Sequence, residues 1–252
     1  MPKGDIEMKP AKAELRVGTS GWHYAHWRGV FYPIQLPTRE WLGFYASHFD
    51  TVEINNSFYR LPALETFAVW RDAVPEGFLF AVKANRFITH VKRLRDPREA
   101  LTNFFRNMDG LREKTGPILF QLPPRWKADP ERLRGFIRAL PPGYRYVFEF
   151  RDPSWFAPEI YRILEDGGCA LCSASSPSFP EARVETADFA FFRFHGGKVL
   201  YGSKYSTEEL AEWADYARRL LKEGMDVYAY FNNDAFGYAV EDALAFRTLV
   251  QA

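Results

Sequence analysis

A chain of 252 residues, 47% of them hydrophobic, can bury a large core as one domain or two. Its 33 basic and 32 acidic residues leave a formal charge of +1, so no global field draws it to nucleic acid or to an anionic membrane. No apolar run approaches the roughly 20 residues of a membrane span, and Met1–Glu14 is polar and lacks a signal-peptide core, which points to a loose tail and a cytoplasmic protein.

From Leu15 onward, short apolar, β-branched or aromatic runs alternate with amphipathic stretches. Leu15–Thr19 predicts a strand, and a helix over Thr38–Ala46 follows a long aromatic loop. Strands over Thr51–Asn55, Phe78–Ala84 and Pro117–Leu122 are separated by helices over Leu64–Ala73 and Pro97–Lys114. Next come a helix over Asp129–Ala139, a strand over Tyr144–Arg151, a helix over Phe156–Asp166 and a strand over Cys169–Ser173. The chain closes with strands over Phe189–His195 and Val227–Asn233 and helices over Thr207–Glu223 and Tyr238–Val250. Asp96-Pro97 and Asp129-Pro130 each set a cap before a first-turn proline, and Ser206 to Glu209 reads as a capping box. Ser175 to Thr186, rich in Pro, Ser and Glu, reads as loop where a helix would be due.

Eight strands and about seven helices at this length predict an α/β fold, a (β/α)8 TIM barrel in one domain over residues 15–252. A doubly wound open sheet is the alternative, but the first strand is followed by no glycine fingerprint. The GTSG run at 18–21 is too short for a P-loop and lacks its lysine. Cys169 and Cys172 form C-x-x-C, yet i and i+3 on a strand face opposite ways, so both read as packed core thiols.

Five of the predicted strands end in polar residues at i and i+2: Glu53/Asn55, Lys83/Asn85, Glu149/Arg151, Arg193/His195 and Asn232/Asp234. Residues at that spacing project from one face. With Leu79, Ala81, Val147, Phe191, Tyr228 and Tyr230 facing the interior, the same parity carries these groups to the C-terminal rim, where barrel enzymes build their sites. Gln121 joins them from strand four and Ser20 from strand one. Trp22, Tyr24, Trp27, Phe31 and Tyr32 crowd the loop after strand one, Phe58 and Tyr59 that after strand two, with Trp126, Trp155 and Phe156 further on.

The segments GTSGWHYAHWRGVFYP (18–33), FDTVEINNSFYRLP (49–62), FAVKANRFITHVKRL (80–94), GPILFQLPP (116–124), FEFRDPSW (148–155), FRFHG (192–196) and YAYFNNDAFGYA (228–239) follow one another as they do in the YecE-like family. The chain resembles that family, numbered 72 among domains of unknown function, from about Arg16 to its C-terminus. The resemblance implies a TIM barrel and no particular reaction. Ser175 and Asp242 depart from it, standing where an acidic residue and an asparagine are associated with the family pattern.

Charged groups gathered at a barrel mouth must neutralise one another or a ligand. One reading is a polar network that only closes the barrel. The other is a site in which Glu149 and His195 transfer protons, Lys83, Arg151 and Arg193 hold negative charge, and Glu53, Asn55, Gln121, Asn232 and Asp234 orient them. Lys83, in an apolar strand, suits either a lowered pKa and Schiff-base chemistry or an ammonium that binds an anion. Phe148 and Phe150 would raise the pKa of Glu149 and Arg151 would lower it. Trp22 and Tyr59 are placed to stack on a substrate.

Glu53 and Glu149 raise a glycosidase option, but they sit on strands two and five, away from the usual pair on four and seven. Five histidines without a ligand cluster argue against a metal site, and no cofactor motif is present. These residues favour a metal-independent acid–base enzyme, a hydrolase or lyase, acting on a small anionic or sugar-phosphate-like molecule. The alternative is a single-strand nucleic-acid binding or processing factor that uses the basic run Arg86–Arg95 and the aromatic rim.

Overall fold

The computed structural model describes residues 13–252. Residues 1–12 of the expected loose tail lie outside that range. Eight strands are found: β1 Leu15–Thr19, β2 Thr51–Ile54, β3 Leu79–Lys83, β4 Thr115–Gln121, β5 Tyr146–Glu149, β6 Cys169–Ser175, β7 Phe189–Phe194 and β8 Asp226–Phe231. Seven helices pack around them: α1 Trp41–Ala46, α2 Leu64–Asp72, α3 Pro97–Met108, α4 Pro130–Ile137, α5 Pro158–Asp166, α6 Thr207–Lys222 and α7 Tyr238–Gln251. The strands are all parallel, in the order β1-β8-β7-β6-β5-β4-β3-β2, which is a TIM-like barrel. As the loop composition of Ser175–Thr186 foretold, β6 runs into β7 with no helix between. None of the helices among the described residues is long and apolar enough to cross a membrane.

Local chemistry sets these boundaries. Ser206 and Glu209 complete a reciprocal capping box at α6, and the Asp129 carboxylate accepts from the Arg132 N–H at α4. Asp96 behaves differently: its backbone is left-handed and its side chain makes no capping bond. Pro117 is tolerated in β4 because the register to β3 slips between Phe80 and Val82, and a bulge needs no ladder donor there.

Side-chain alternation divides the core in two. Ala81, Leu119, Val147, Cys172, Phe191, Tyr228 and Tyr230 fill the barrel, while Phe80, Val82, Phe148, Phe192, Phe194 and Phe231 pack outward on the helices. Each fully buried Phe contributes about 1.5–3 kcal/mol. Cys172 belongs to the inner layer and Cys169 to the outer, so the two thiols are separated by the sheet.

The ladder is incomplete only between β1 and β2, where a single bridge joins Ser20 to Glu53. Tyr45 of α1 fills this seam. Its hydroxyl accepts from the Thr19 N–H at 2.9 Å and donates to the Thr51 carbonyl at 3.1 Å, with Thr19 Oγ1 at 3.0 Å. Gly18 leaves the room this requires, since a Cβ there would lie 2.2 Å from the Thr51 carbonyl oxygen and 2.9 Å from the tyrosine hydroxyl.

Tyr45→Phe should therefore leave a buried N–H and a buried carbonyl without partners at the seam and cost about 1–3 kcal/mol. Urea denaturation measures this; an unchanged midpoint would mean that the hydroxyl does not join the strands.

Candidate functional site

Arg193 rises from β7 into the centre of the barrel mouth and is fully buried, as are Glu53 of β2 and Glu149 of β5. Its Nε and Nη2 donate to the two oxygens of Glu53 at 2.9 and 2.6 Å. Its Nη1 donates to Glu149 Oε2 at 2.5 Å. The other Glu149 oxygen accepts from Arg151 Nε at 2.8 Å. Two carboxylates and two guanidiniums thus form one continuous chain across three strands and the loop after β5. Burial would lower the pKa of Arg193, but the charges of Glu53 and Glu149 overturn this and raise it. For Glu149, burial pushes upward, yet Arg193 and Arg151 win and hold the carboxyl well below its usual range. Of the two opposed influences expected on Glu149, the arginines dominate.

His195, just beyond β7, is also fully buried. Its Nδ1 lies 3.2 Å from the Asn232 amide nitrogen, which donates to it and leaves the ring proton on Nε2. That Nε2 is 3.6 Å from Glu149 Oε1, beyond hydrogen-bond reach, and has no other partner among the described residues. Burial lowers its pKa to about 4 although Glu149 pulls the other way, so the imidazole is neutral. Phe179 and Tyr201 stand edge-on to it with ring centroids 5.8 and 5.5 Å away.

Lys83 ends β3 on the same inner face. The residue is 6% exposed, and its Nζ makes no hydrogen bond and no ion pair among the described residues, both carboxylates nearby being paired with arginine. The Phe58 ring lies 4.3 Å beneath it. Burial first, and then the charge of Arg193, lower its pKa to about 7 against the opposing pull of Glu149 and Glu53.

The remaining residues expected at the rim divide. Gln121 sits beside Glu149 in the β4–β5 register and donates to the Leu122 carbonyl at 3.2 Å. Asn55 and Tyr59 line a cavity of about 230 Å³ with Trp22, Tyr24 and His23, next to the β1–β2 seam. The Asn55 side-chain amide oxygen is buried without a partner among the described residues, as is Ser20 Oγ. Asp234 is elsewhere: it accepts from the Trp27 indole at 2.8 Å and ties the β1 loop down, outside the Arg193 chain. Asn85 likewise turns to its own loop, bonding the Ser57 carbonyl and the Phe87 N–H. Most rim aromatics are packing. Trp22, Trp27, Tyr32, Trp126 and Trp155 are buried, whereas Tyr59 is 70% exposed.

Phe179 had no role in the sequence reading. Its ring covers the Arg151 guanidinium at 4.1 Å and so roofs the site from the β6–β7 loop. Its signal was faint: a lone aromatic in a Pro- and Ser-rich segment. Phe58 was visible as a loop aromatic, but its place under Lys83 depends on the turn at Asn56–Phe58.

With this geometry in hand, comparisons with known proteins are consistent. The sequence profile of a family described as "Protein of unknown function DUF72" matches residues 16–252. The crystal structure of a DUF72 family protein from Thermotoga maritima is similar with a TM-score of 0.86 and 31% identity, over 95% of this chain and 100% of that one. The UPF0759 protein YunF of Bacillus subtilis is 26% identical over 265 residues, covering 90% of this chain and 92% of YunF. The UPF0759 protein YecE of Escherichia coli is 33% identical over 114 residues, 45% of this chain and 42% of YecE.

Two imidazoles, one fully buried and one half-buried, make a directional prediction. His195 and His90 both have pKa values lowered from 6.5 to about 4, burial being the first cause in each. The unfolded chain takes up these protons first, so stability should fall as pH drops from about 6.5 to 4, by on the order of 1–3 kcal/mol for the fully buried ring. Glu149, ionised in the folded state, adds to the loss below its ordinary value of 4.5. Urea midpoints between pH 7 and 4.5 should decline, and less steeply for His195→Gln; a flat wild-type profile would contradict this.

Proposed function

Since the chain belongs to the DUF72 family, from which kinship brings a fold and no reaction, we propose from the site alone that this barrel is a metal-independent acid–base enzyme for a small anionic substrate, with the Lys83 amine as its proton-transfer group. The observation that carries the proposal is a charge inventory. Glu53 and Glu149 are matched by Arg193 and Arg151, through the contacts above, and the sum is neutral. Lys83 is left buried beside them without a carboxylate of its own. A cation so placed either gives up its proton or takes an anion. An amine with a pKa of about 7 does both within the physiological range.

The inventory redistributes the roles read from sequence. Glu149 is held ionised by two arginines and serves as part of the framework. His195 is shielded by Phe179 and Tyr201 and faces Glu149, so it is a positioning residue. A glycosidase needs one carboxyl kept protonated, and Glu53 and Glu149 share Arg193 instead. The same occupied oxygens speak against a cation between them, and no group of three His, Cys, Asp or Glu side chains suited to a metal occurs among the described residues. Buried rim aromatics support a small ligand over a stacked single strand.

Two measurements bear on this. In a thermal-shift screen of phosphorylated and carboxylated metabolites, binders of the site should raise the Tm of the wild type and not that of Lys83→Met, a ligand at 100 times its Kd contributing about 2.7 kcal/mol. Equal shifts in both proteins would remove Lys83 from the site. The second is stability without ligand. A lysine whose folded pKa is about 7 against 10.5 unfolded penalises folding most below pH 7, and the penalty fades as pH rises toward 10.5. Lys83→Met should therefore be more stable than wild type at pH 6, by roughly 2–4 °C in Tm for each kcal/mol relieved, and the gap should narrow by pH 10. A constant gap would show a lysine that keeps its ordinary affinity for protons.

A further inference from the structure

We infer that the Lys83 amine is also a covalent centre, forming an imine with a small aldehyde or ketone that carries a carboxylate or phosphate, and that the outward donors of Arg151 hold that anionic group. The inference rests on the proposed function and adds to it a bond and a substrate class. A lysine kept only to stabilise the barrel mouth would pair with Glu53 or Glu149. Both carboxylates are instead taken by arginines, so no hydrogen bond or ion pair among the described residues holds the amine nitrogen. The position of Lys83 is nevertheless set closely. Ser57 Oγ donates to its backbone carbonyl at 2.6 Å, and the Phe58 face lies 4.3 Å from Nζ. The result is an oriented nucleophile in a largely dry setting, with 6% of the residue exposed.

Arg151 supplies the second half. Its Nε is committed to Glu149 and its guanidinium plane is covered by Phe179, yet neither Nη atom is hydrogen-bonded among the described residues. The side chain is 11% exposed, which gives the free edge an outlet. Such an edge, presented by a clamped guanidinium, matches a carboxylate or phosphate in two parallel hydrogen bonds.

The covalent step balances without any further reactant. The Nζ lone pair attacks the carbonyl carbon and the C=O π pair moves to oxygen. One amine proton passes to that oxygen, a second proton arrives from solvent, and water leaves as the C=N bond forms. The nitrogen keeps one proton and one positive charge. The anion of the substrate compensates that charge, so the neutral balance of the mouth is kept.

The test uses the full chain with sodium cyanoborohydride, which reduces an imine to a stable secondary amine, and peptide mass mapping. Pyruvate is the carboxylate probe and glyceraldehyde 3-phosphate the phosphate probe, in separate arms, with acetaldehyde as an uncharged control. At least one anionic probe should modify Lys83 about tenfold more than the exposed Lys198 and Lys204, as expected of a site-activated amine. Arg151→Lys, which keeps a positive charge beside Glu149 but offers no paired guanidinium edge, should lower the ratio of anionic-probe to acetaldehyde labelling at Lys83, and Lys83→Arg, which keeps the charge, should show no adduct in a folded protein. Labelling of Lys83 no greater than that of Lys198 and Lys204 in both anionic arms overturns the imine. If the pH-dependent stability gain of Lys83→Met is seen in that case, the proton-transfer function stands and only the covalent step falls; if that gain is missing too, both fall. Equal labelling by acetaldehyde and the anionic probes overturns the role of Arg151.

Discussion

One guanidinium organises the mouth of this barrel. Arg193 stands on β7, closes a two-pronged pair with Glu53 on β2 and reaches Glu149 on β5, all of them buried. Burying such a set gains little net stability, because desolvation offsets most of the attraction. Removing one member is another matter, for it leaves an uncompensated charge in the interior, at about 3–5 kcal/mol. The planar fork of arginine is what permits three directed bonds to two carboxylates; a lysine offers one point charge and no such geometry. Everything else in the site follows from this occupancy. Glu149 stays ionised, His195 stays neutral behind it, and Lys83 is left without a counter-charge.

The barrel that carries this network is closed by unlike means around its circumference. Seven neighbouring pairs of strands share ladders, and the eighth pair, β1 with β2, relies on the Tyr45 hydroxyl and on the space left by Gly18. Glu53 lies on one side of that seam, bridged to Ser20 on the other. The cavity lined by Asn55, Tyr59 and the β1 loop opens at the same place. A seam held by one side chain has fewer backbone bonds to break than a full ladder.

Much of this was legible in the chain because a strand has a strict period of two. Parity alone put Ala81, Val147, Phe191 and Tyr230 inside, separated Cys169 from Cys172, and carried Glu53, Lys83, Glu149 and Arg193 to one rim. Parity held for the first member of each polar pair, which is still in its strand or directly at its end. It weakened for the second. By Asn85 and Asp234 the chain has left the sheet, so Asn85 caps the next turn and Asp234 fastens Trp27. Which carboxylate pairs with which arginine was not legible, since that depends on the separation of strands across the barrel. The roof over Arg151 was hidden as well, because Phe179 belongs to a loop with no period to read. The β6–β7 connection, by contrast, announced its missing helix through composition.

The central claim is that the carboxylates of the mouth are fully matched by arginine and that Lys83 is therefore an amine that exchanges its proton within the physiological pH range. Its direct test is the titration of the Lys83 side chain by NMR, following the Cε and Nζ resonances assigned through a Lys83→Arg spectrum. The account predicts a midpoint near 7. A midpoint at or above the ordinary value of 10.5 would mean that Glu53 or Glu149 still serves Lys83, and it would contradict the account.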